Sequence, residues 1–212
     1  MASYPPKKFS NTDLPQALEI AEATKFATLV HAGDAGLITC HLPMTVVWEA
    51  ETVSFVGHIV RSNPLYDVLS GGAVNARLIF QPAQGYVSPS LYGEKAVTGK
   101  VVPTWNYVAA HFDGVAELCA DEQALMETLN RQTQDYERAH GGDWKVDDAP
   151  DAYIASLLKA IAGISFRVET SVNIQKLSQN KPDDIPRISQ WLEDTQPTGA
   201  SIAHWMKRFH NV

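Results

Sequence analysis

The sequence predicts a mainly β protein with helices (α+β), built as an antiparallel barrel with peripheral and C-terminal helices. Two observations carry that reading. About six β-prone runs follow one another in hairpin order. The helical patterns cluster toward the ends of the chain. A third observation disfavours the main competitor, a doubly wound nucleotide fold: no strand–helix–strand rhythm repeats.

The elements follow in order. "SNTDLPQALEIAEA" opens a helix that Asn11, Thr12 or Asp13 can cap, with Pro15 in its first turn and Leu14, Ala17, Leu18 and Ala21 on one face. "FATLVHAGDAGLITCHLPMTVVWE" reads as two strands joined at Gly33-Asp34-Ala35-Gly36, and "ETVSFVGHIV" as a third. A short helix is expected to open at Asn63-Pro64 and stop at Gly71-Gly72. The strand "AVNARLIFQPAQGYVSP" is expected to break near Pro82, and "KVVPTWNYVAAHFDGVAEL" to bend at Pro103. Residues 121 to 139 carry Leu125, Met126, Leu129, Thr133 and Tyr136 at helical spacing behind an acidic first turn. "GGDWKVDDAP" is a loop, and "DAYIASLLKAIAG" is a helix that Gly163 should end. "ISFRVETSVNIQKLSQ" is the last long strand, and helical patterns at 183 to 194 and 200 to 209 surround "TQPTG".

Composition narrows the function. A chain of 212 residues with 45% apolar and 19% charged residues folds around a real core rather than staying disordered. Its net charge of −7 repels a phosphate-coated duplex on average, so nucleic acid would need a local basic patch. Cys40 and Cys119 lie far apart without a CxxC partner, which argues against a zinc or disulfide framework and for buried thiols in a reducing compartment. "MASYPPKKFS" lacks the apolar core of a signal peptide, and no run approaches a membrane span, so a soluble cytoplasmic protein without a membrane partner is expected. The histidines show no HExxH-like spacing, so no metal is expected. No nucleophile or other catalytic residue can be named.

Four stretches carry candidate binding chemistry, each with an ordinary alternative. In "VGHIVRSNP", Arg61 sits where a strand meets the helix opening at Asn63-Pro64, a cationic corner beside unpaired N–H groups; an exposed Arg and a plain Asn cap would look the same. In "GYVSPSLYG", Tyr86, Ser88 and Tyr92 surround a proline turn that packing alone would explain. In "VPTWNY", Thr104 and Asn106 alternate with Trp105 and Tyr107, which suits a flat aromatic ligand with a polar rim; a core Trp beside a bonded Asn is the alternative. In "KLSQNK", Lys176 can meet a phosphate or the negative charge of a reduced cofactor, or simply end a solvated strand.

Together these stretches resemble the PaiB family, FMN-binding negative transcriptional regulators of the flavin split-barrel class. "YPPKKF", "GHIVRSNP", "YVSPSLY", "VPTWNYVAAHFDG", "AYIASLLKAIAGISFRVE" and "KLSQNKPDD" occur in the family's order across most of the chain. Two positions depart from it: Leu91 stands where the family usually has Trp, and Val60 where it often has Ala. The resemblance implies an antiparallel split β-barrel of the FMN-binding type over residues 1–182, with a C-terminal helical extension over 183–212. It implies a homodimer with FMN in the groove between subunits. Arg61 and Asn63, with His58 nearby, become candidates for the phosphate. Thr104, Trp105 and Asn106 become candidates for the isoalloxazine, and Ser88, Lys176 and Gln179 join the same cofactor-binding set.

Competing functions remain open at this point. The chain can be a flavin-dependent oxidoreductase of unknown substrate, or a haem-binding split-barrel protein with His58 or His111 as axial ligand. Direct DNA binding rests on the tail, where Lys207, Arg208 and His210 sit near the chain end and acidic Glu193 and Asp194 precede them, a thin basic footprint. Trp191, Trp205, Met206 and Phe209 instead suit packing of the tail onto the barrel or across a dimer.

Overall fold

A computed structural model describes residues 6–34, 36–49, 51–119 and 121–212. Ala35 of the expected hairpin loop, and Tyr4 and Pro5 of "YPPKKF", lie outside the described residues. In chain order the elements are β1 (Ser10–Asn11), α1 (Leu14–Thr24), β2 (Phe26–Gly33), β3 (Gly36–Pro43), β4 (Thr45–Glu49), β5 (Thr52–Val60), α2 (Pro64–Ser70), β6 (Val74–Val87), α3 (Glu94–Val97), β7 (Thr104–Cys119), α4 (Glu122–His140), α5 (Asp151–Leu158), β8 (Ile161–Lys176), α6 (Ile185–Thr195) and α7 (Gly199–His210). The strands form one antiparallel sheet in the order β3-β2-β6-β7-β8-β5-β4, with β1 added on β8.

Four boundaries differ from the sequence expectations. The run after Gly36 is two strands, not one: Pro43 ends β3, Met44 N–H donates to the Lys25 carbonyl at 2.8 Å, and β4 then pairs with β5 from Thr45↔Val56. Strand β6 continues through Pro82, because proline's fixed φ suits extended backbone and breaks a strand only where its missing N–H is needed. Pro103 precedes β7 instead of bending it. Gly163 lies inside β8 opposite His58, and α5 has already ended at Leu158. Its glycine serves a close approach: a Cβ there would stand 3.0 Å from Cys119 Cβ.

The chain divides into two compact units. One comprises the N-terminal segment through Thr24, Phe80–His111 and Ser171–Val212. In it Asp13 caps α1, its carboxylate accepting from Gln16 N–H at 2.9 Å, and α1 buries Ala17, Leu18, Ile20 and Ala21. Asn173 ties β8 to the opposite end of that segment by donating to Asn11 Oδ1 at 2.5 Å and to the Asp13 carbonyl at 3.2 Å. Helices α6 and α7 meet at Gly199, where a Cβ would fall 1.6 Å from the Leu192 carbonyl oxygen. Gln196, between them, clamps β6: its Oε1 accepts from Tyr86 N–H at 3.1 Å and its Nε2 donates to the Tyr86 carbonyl at 2.6 Å.

The other unit comprises Lys25–Ile79 and Phe112–Thr170. Hairpins β2–β3 and β4–β5 flank a core in which Phe55 and Phe112 pack edge to face, 4.8 Å between ring centres. Asp121 caps α4 by accepting from Gln123 N–H at 2.9 Å, and Gly141 ends it at a φ of 75°. Helix α4 lies on β5, and its buried Gln132 donates to the carbonyls of Pro43 and Val56 at 3.3 and 3.4 Å.

Candidate functional site

The start of β7 and the end of β8 build a cleft of about 420 Å³ in the first unit. That volume lies within the roughly 300–1,000 Å³ usual for small-molecule sites. Alternation along β7 turns Thr104 and Asn106 into it, Lys176 enters from the end of β8, and the left-handed turn that follows brings in Ser178. Lys176 Nζ donates to Thr104 Oγ1 at 2.5 Å. Asn106 is fully buried: its Nδ2 donates to Ser178 Oγ at 2.9 Å, and the Ser178 hydroxyl donates to Asn106 Oδ1 at 3.3 Å. Ser178 holds a φ of +63°, a left-handed conformation that costs a non-glycine residue about 1–3 kcal/mol and so needs these restraints.

Charge distinguishes this cleft. Lys8, Lys100, Lys176 and Lys181 line it, and among the described residues no Asp or Glu does. Lys181 is ion-paired with Glu94 beyond the lining, and that hydrogen bond holds the Glu94 carboxyl below its usual range. Burial pushes the Tyr92 phenol up, so it stays protonated at the cleft wall. In a chain of net charge −7, a hollow lined by Lys8, Lys100 and Lys176, with Lys181 already matched by Glu94 and no acid among its described lining residues, suits an anion in kind.

The other predicted residues take different places. Trp105 is 54% exposed on the opposite side of β7, where it meets Tyr86 edge to face at 6.2 Å. Gln179 does not line the cleft; its Oε1 accepts from Leu177 N–H at 2.9 Å and its Nε2 donates to the Gln175 carbonyl, bracing its own turn. Ser88 caps the turn Pro89–Leu91 by accepting from Ser90 N–H at 3.2 Å. Leu91 is itself buried.

Arg61, Asn63 and His58 belong to the second unit. Exposed Arg61 donates to the Tyr66 hydroxyl and lies over that ring at 5.1 Å. It lines a hollow of about 290 Å³ that also holds Asp121 and Glu122, so an anion there competes with carboxylates. Asn63 Oδ1 caps α2 at Leu65 N–H (2.9 Å), and its Nδ2 donates to Cys40 Sγ at 3.2 Å. Burial raises the Cys40 thiol pKa, and the Asn63 bond partly offsets it. His58 is half-buried, its Nδ1 has no hydrogen-bond partner among the described residues, and burial lowers its pKa. Among the described residues no cluster of His, Cys, Asp and Glu could hold a metal, and no helix is long and apolar enough to cross a membrane.

The sequence reading missed Ser178 and the lysines at 8, 100 and 181. Ser178 enters through a left-handed turn after β8, which strand alternation does not anticipate. Lys8, Lys100 and Lys181 come from segments far apart in the chain, and no local pattern joins them.

Residues 3–170 match the family described as "Putative FMN-binding domain". The chain belongs to this FMN-binding family. It is 27% identical over 206 residues, 96% of each chain, to the protease synthase and sporulation protein PAI 2 of Bacillus subtilis, as the PaiB resemblance requires. Two solved structures share its fold: the FAD and haem binding protein from Mycobacterium smegmatis (TM-score 0.58, 14% identity, covering 84% of this chain and 79% of that one) and the flavocytochrome Anf3 from Azotobacter vinelandii (TM-score 0.51, 16% identity, covering 79% and 70%). The family match establishes an FMN-binding protein, and these neighbours share its split-barrel fold. The first unit's cleft fits the cofactor by its own chemistry. FMN carries a phosphate dianion and a flat ring rimmed with acceptors, and the cleft offers lysines, an amide and hydroxyls without an acidic side chain.

Proposed function

We propose that the chain is an FMN-dependent homodimeric regulator of the PaiB type, with the flavin held against Thr104, Asn106 and Lys176. The observation that carries this reading is the acid-free, lysine-lined cleft at the "VPTWNY" and "KLSQNK" stretches. Bound FMN supplies one- and two-electron redox chemistry. The chain's own part is to bind and orient it. Lys176 supplies a fixed positive charge, Thr104 holds that ammonium in place, and buried Asn106 holds Ser178 at the cleft wall. Arg61, with its α2 corner capped by Asn63 and His58 on the preceding strand, is the second candidate for the phosphate. Ser88 and Gln179 shape their turns, and the exposed Trp105–Tyr86 pair is the aromatic surface offered to a second subunit. Residues 1–182 are the flavin-binding part and 183–212 its helical extension.

Titration with FMN and with riboflavin tests the assignment. The native chain should prefer FMN. The variant that abolishes this preference, Lys176→Ala or Arg61→Ala, identifies the phosphate partner. If neither variant changes either affinity, the site is wrong. Light scattering at micromolar concentration tests the dimer, and a monomer with bound FMN rules out an interfacial site.

The name of the Bacillus subtilis relative points to a role in protease synthesis and sporulation. For this chain we place any such regulation away from direct DNA contact. Lys207 Nζ pairs with Glu193 at 2.8 Å and Arg208 pairs with Glu19, so the tail's cations are already matched by carboxylates. A gel shift on promoter DNA at low salt would overturn this. Oxidoreductase turnover is the second reading; it is favoured by the open, cationic cleft and tested by FMN-dependent NADH or NADPH oxidation. Haem binding is the third, resting on the unpartnered His58 Nδ1, and a Soret band on adding haem would support it.

A further inference from the structure

We infer that helix α7 positions the flavin cleft, with Met206 and His210 as the residues that do so. The inference rests on the reading that FMN occupies this cleft. It concerns a part of the chain beyond the FMN-binding family match, which ends at residue 170.

The turn that closes the cleft, Leu177–Ser178, follows directly on β8, and Ser178 there has a left-handed backbone that no glycine eases. Such a conformation persists only when its surroundings over-determine it. Two restraints come from residues that line the cleft: the Asn106 amide brackets the Ser178 hydroxyl, and Lys181 N–H donates to the Ser178 carbonyl at 2.8 Å. Two more come from α7. His210 Nε2 donates to the Leu177 carbonyl at 3.1 Å, and Met206 Sδ accepts from Asn106 Nδ2 at 3.5 Å. Met206 and His210 are four residues apart, so they share one helix face.

Each contact has a separate consequence. A carbonyl only accepts, so His210 Nε2 carries a hydrogen and pins the turn from its backbone. A thioether has no donor, so Met206 selects the NH₂ end of the Asn106 amide and fixes which end faces which way. Asn106 and Ser178 both line the cleft. The helix therefore sets the cleft's hydrogen-bonding pattern without itself lining it. It is also anchored by the Lys207–Glu193 and Arg208–Glu19 pairs.

The test compares FMN affinity, by quenching of flavin fluorescence, with the melting temperature of the FMN-free protein. His210→Ala and Met206→Leu should each weaken FMN roughly three- to tenfold, the range of one hydrogen bond. His210→Gln keeps a donor and should recover most of that loss. Arg208→Ala, on the same helix but away from the cleft, should lower the melting temperature while leaving FMN affinity native. Native FMN affinity in His210→Ala overturns the inference. So does Arg208→Ala weakening FMN as much as His210→Ala does, since the helix would then act through stability alone. Lys176→Ala separates the two levels. If it weakens FMN and His210→Ala does not, only the helix inference fails; if Lys176→Ala is also without effect, the cleft reading and the inference fall together.

Discussion

Replacing Asn106 by alanine removes an amide that is fully buried and holds the Ser178 hydroxyl from both of its ends. Two terms add. The paired hydrogen bonds are worth about 0.5–1.5 kcal/mol net, and leaving the Ser178 hydroxyl buried without its partner costs about 1–3 kcal/mol more. Ser178 is 4% exposed, so water does not readily replace the lost amide. The total expected is about 1.5–4.5 kcal/mol. For a chain of this size that corresponds to roughly 3–18 °C in melting temperature. Urea denaturation of the FMN-free protein measures it directly. Ser178→Ala provides the second edge of a cycle, and the double variant should fall short of the sum by about 1 kcal/mol or more, because both changes break the same interaction. Ser178→Gly should be more stable than Ser178→Ala by about 1 kcal/mol, since glycine accepts the positive φ without strain. An Asn106→Ala variant within 0.5 kcal/mol of native stability, or an additive double variant, would refute the coupling described here.

Other expectations follow from the second unit. Asn63→Ala should cost about 1 kcal/mol through loss of the α2 cap, and Asn63→Asp should restore most of it, as read from urea midpoints. Gln132→Glu, nearly isosteric, faces two carbonyl oxygens with an acceptor in place of a donor, and should destabilise more than Gln132→Leu. His58 has a folded pKa below the ordinary imidazole value of about 6.5, so the unfolded chain binds the extra proton first. Its contribution is therefore complete above that value and is lost as pH falls from it toward the folded pKa. His58→Gln should flatten that limb of the stability–pH curve, and an unchanged limb would remove His58 as its source.

Much of the fold was legible because its signals are local. Asp13 before an apolar helical face, Asn63-Pro64 and the Gly33–Gly36 hairpin each carry their own geometry in a few residues, and each forms where expected. The misread positions are prolines and glycines whose role is tertiary. Gly163 looked like a helix stop, but it is a strand residue that lets Cys119 approach. Pro82 looked like a break, but an extended strand tolerates it. At the site, alternation correctly put Thr104 and Asn106 on one side and Trp105 on the other. Gln179 stays out of the cleft because its amide is drawn back to its own backbone, whereas Ser178 enters through a left-handed turn that no local pattern announces. Gln132 was invisible for a similar reason: a polar residue among helical apolar positions looks exposed until two carbonyls are found above it.

The central claim is that Lys176 and its neighbours hold FMN. Fluorescence titration of the native chain and of Lys176→Ala with FMN tests it most directly. The account predicts saturable binding by the native protein and a loss of on the order of tenfold or more in the variant, the worth of a charge-assisted bond of about 1.5–3 kcal/mol. Superimposable binding curves for the two proteins would contradict it.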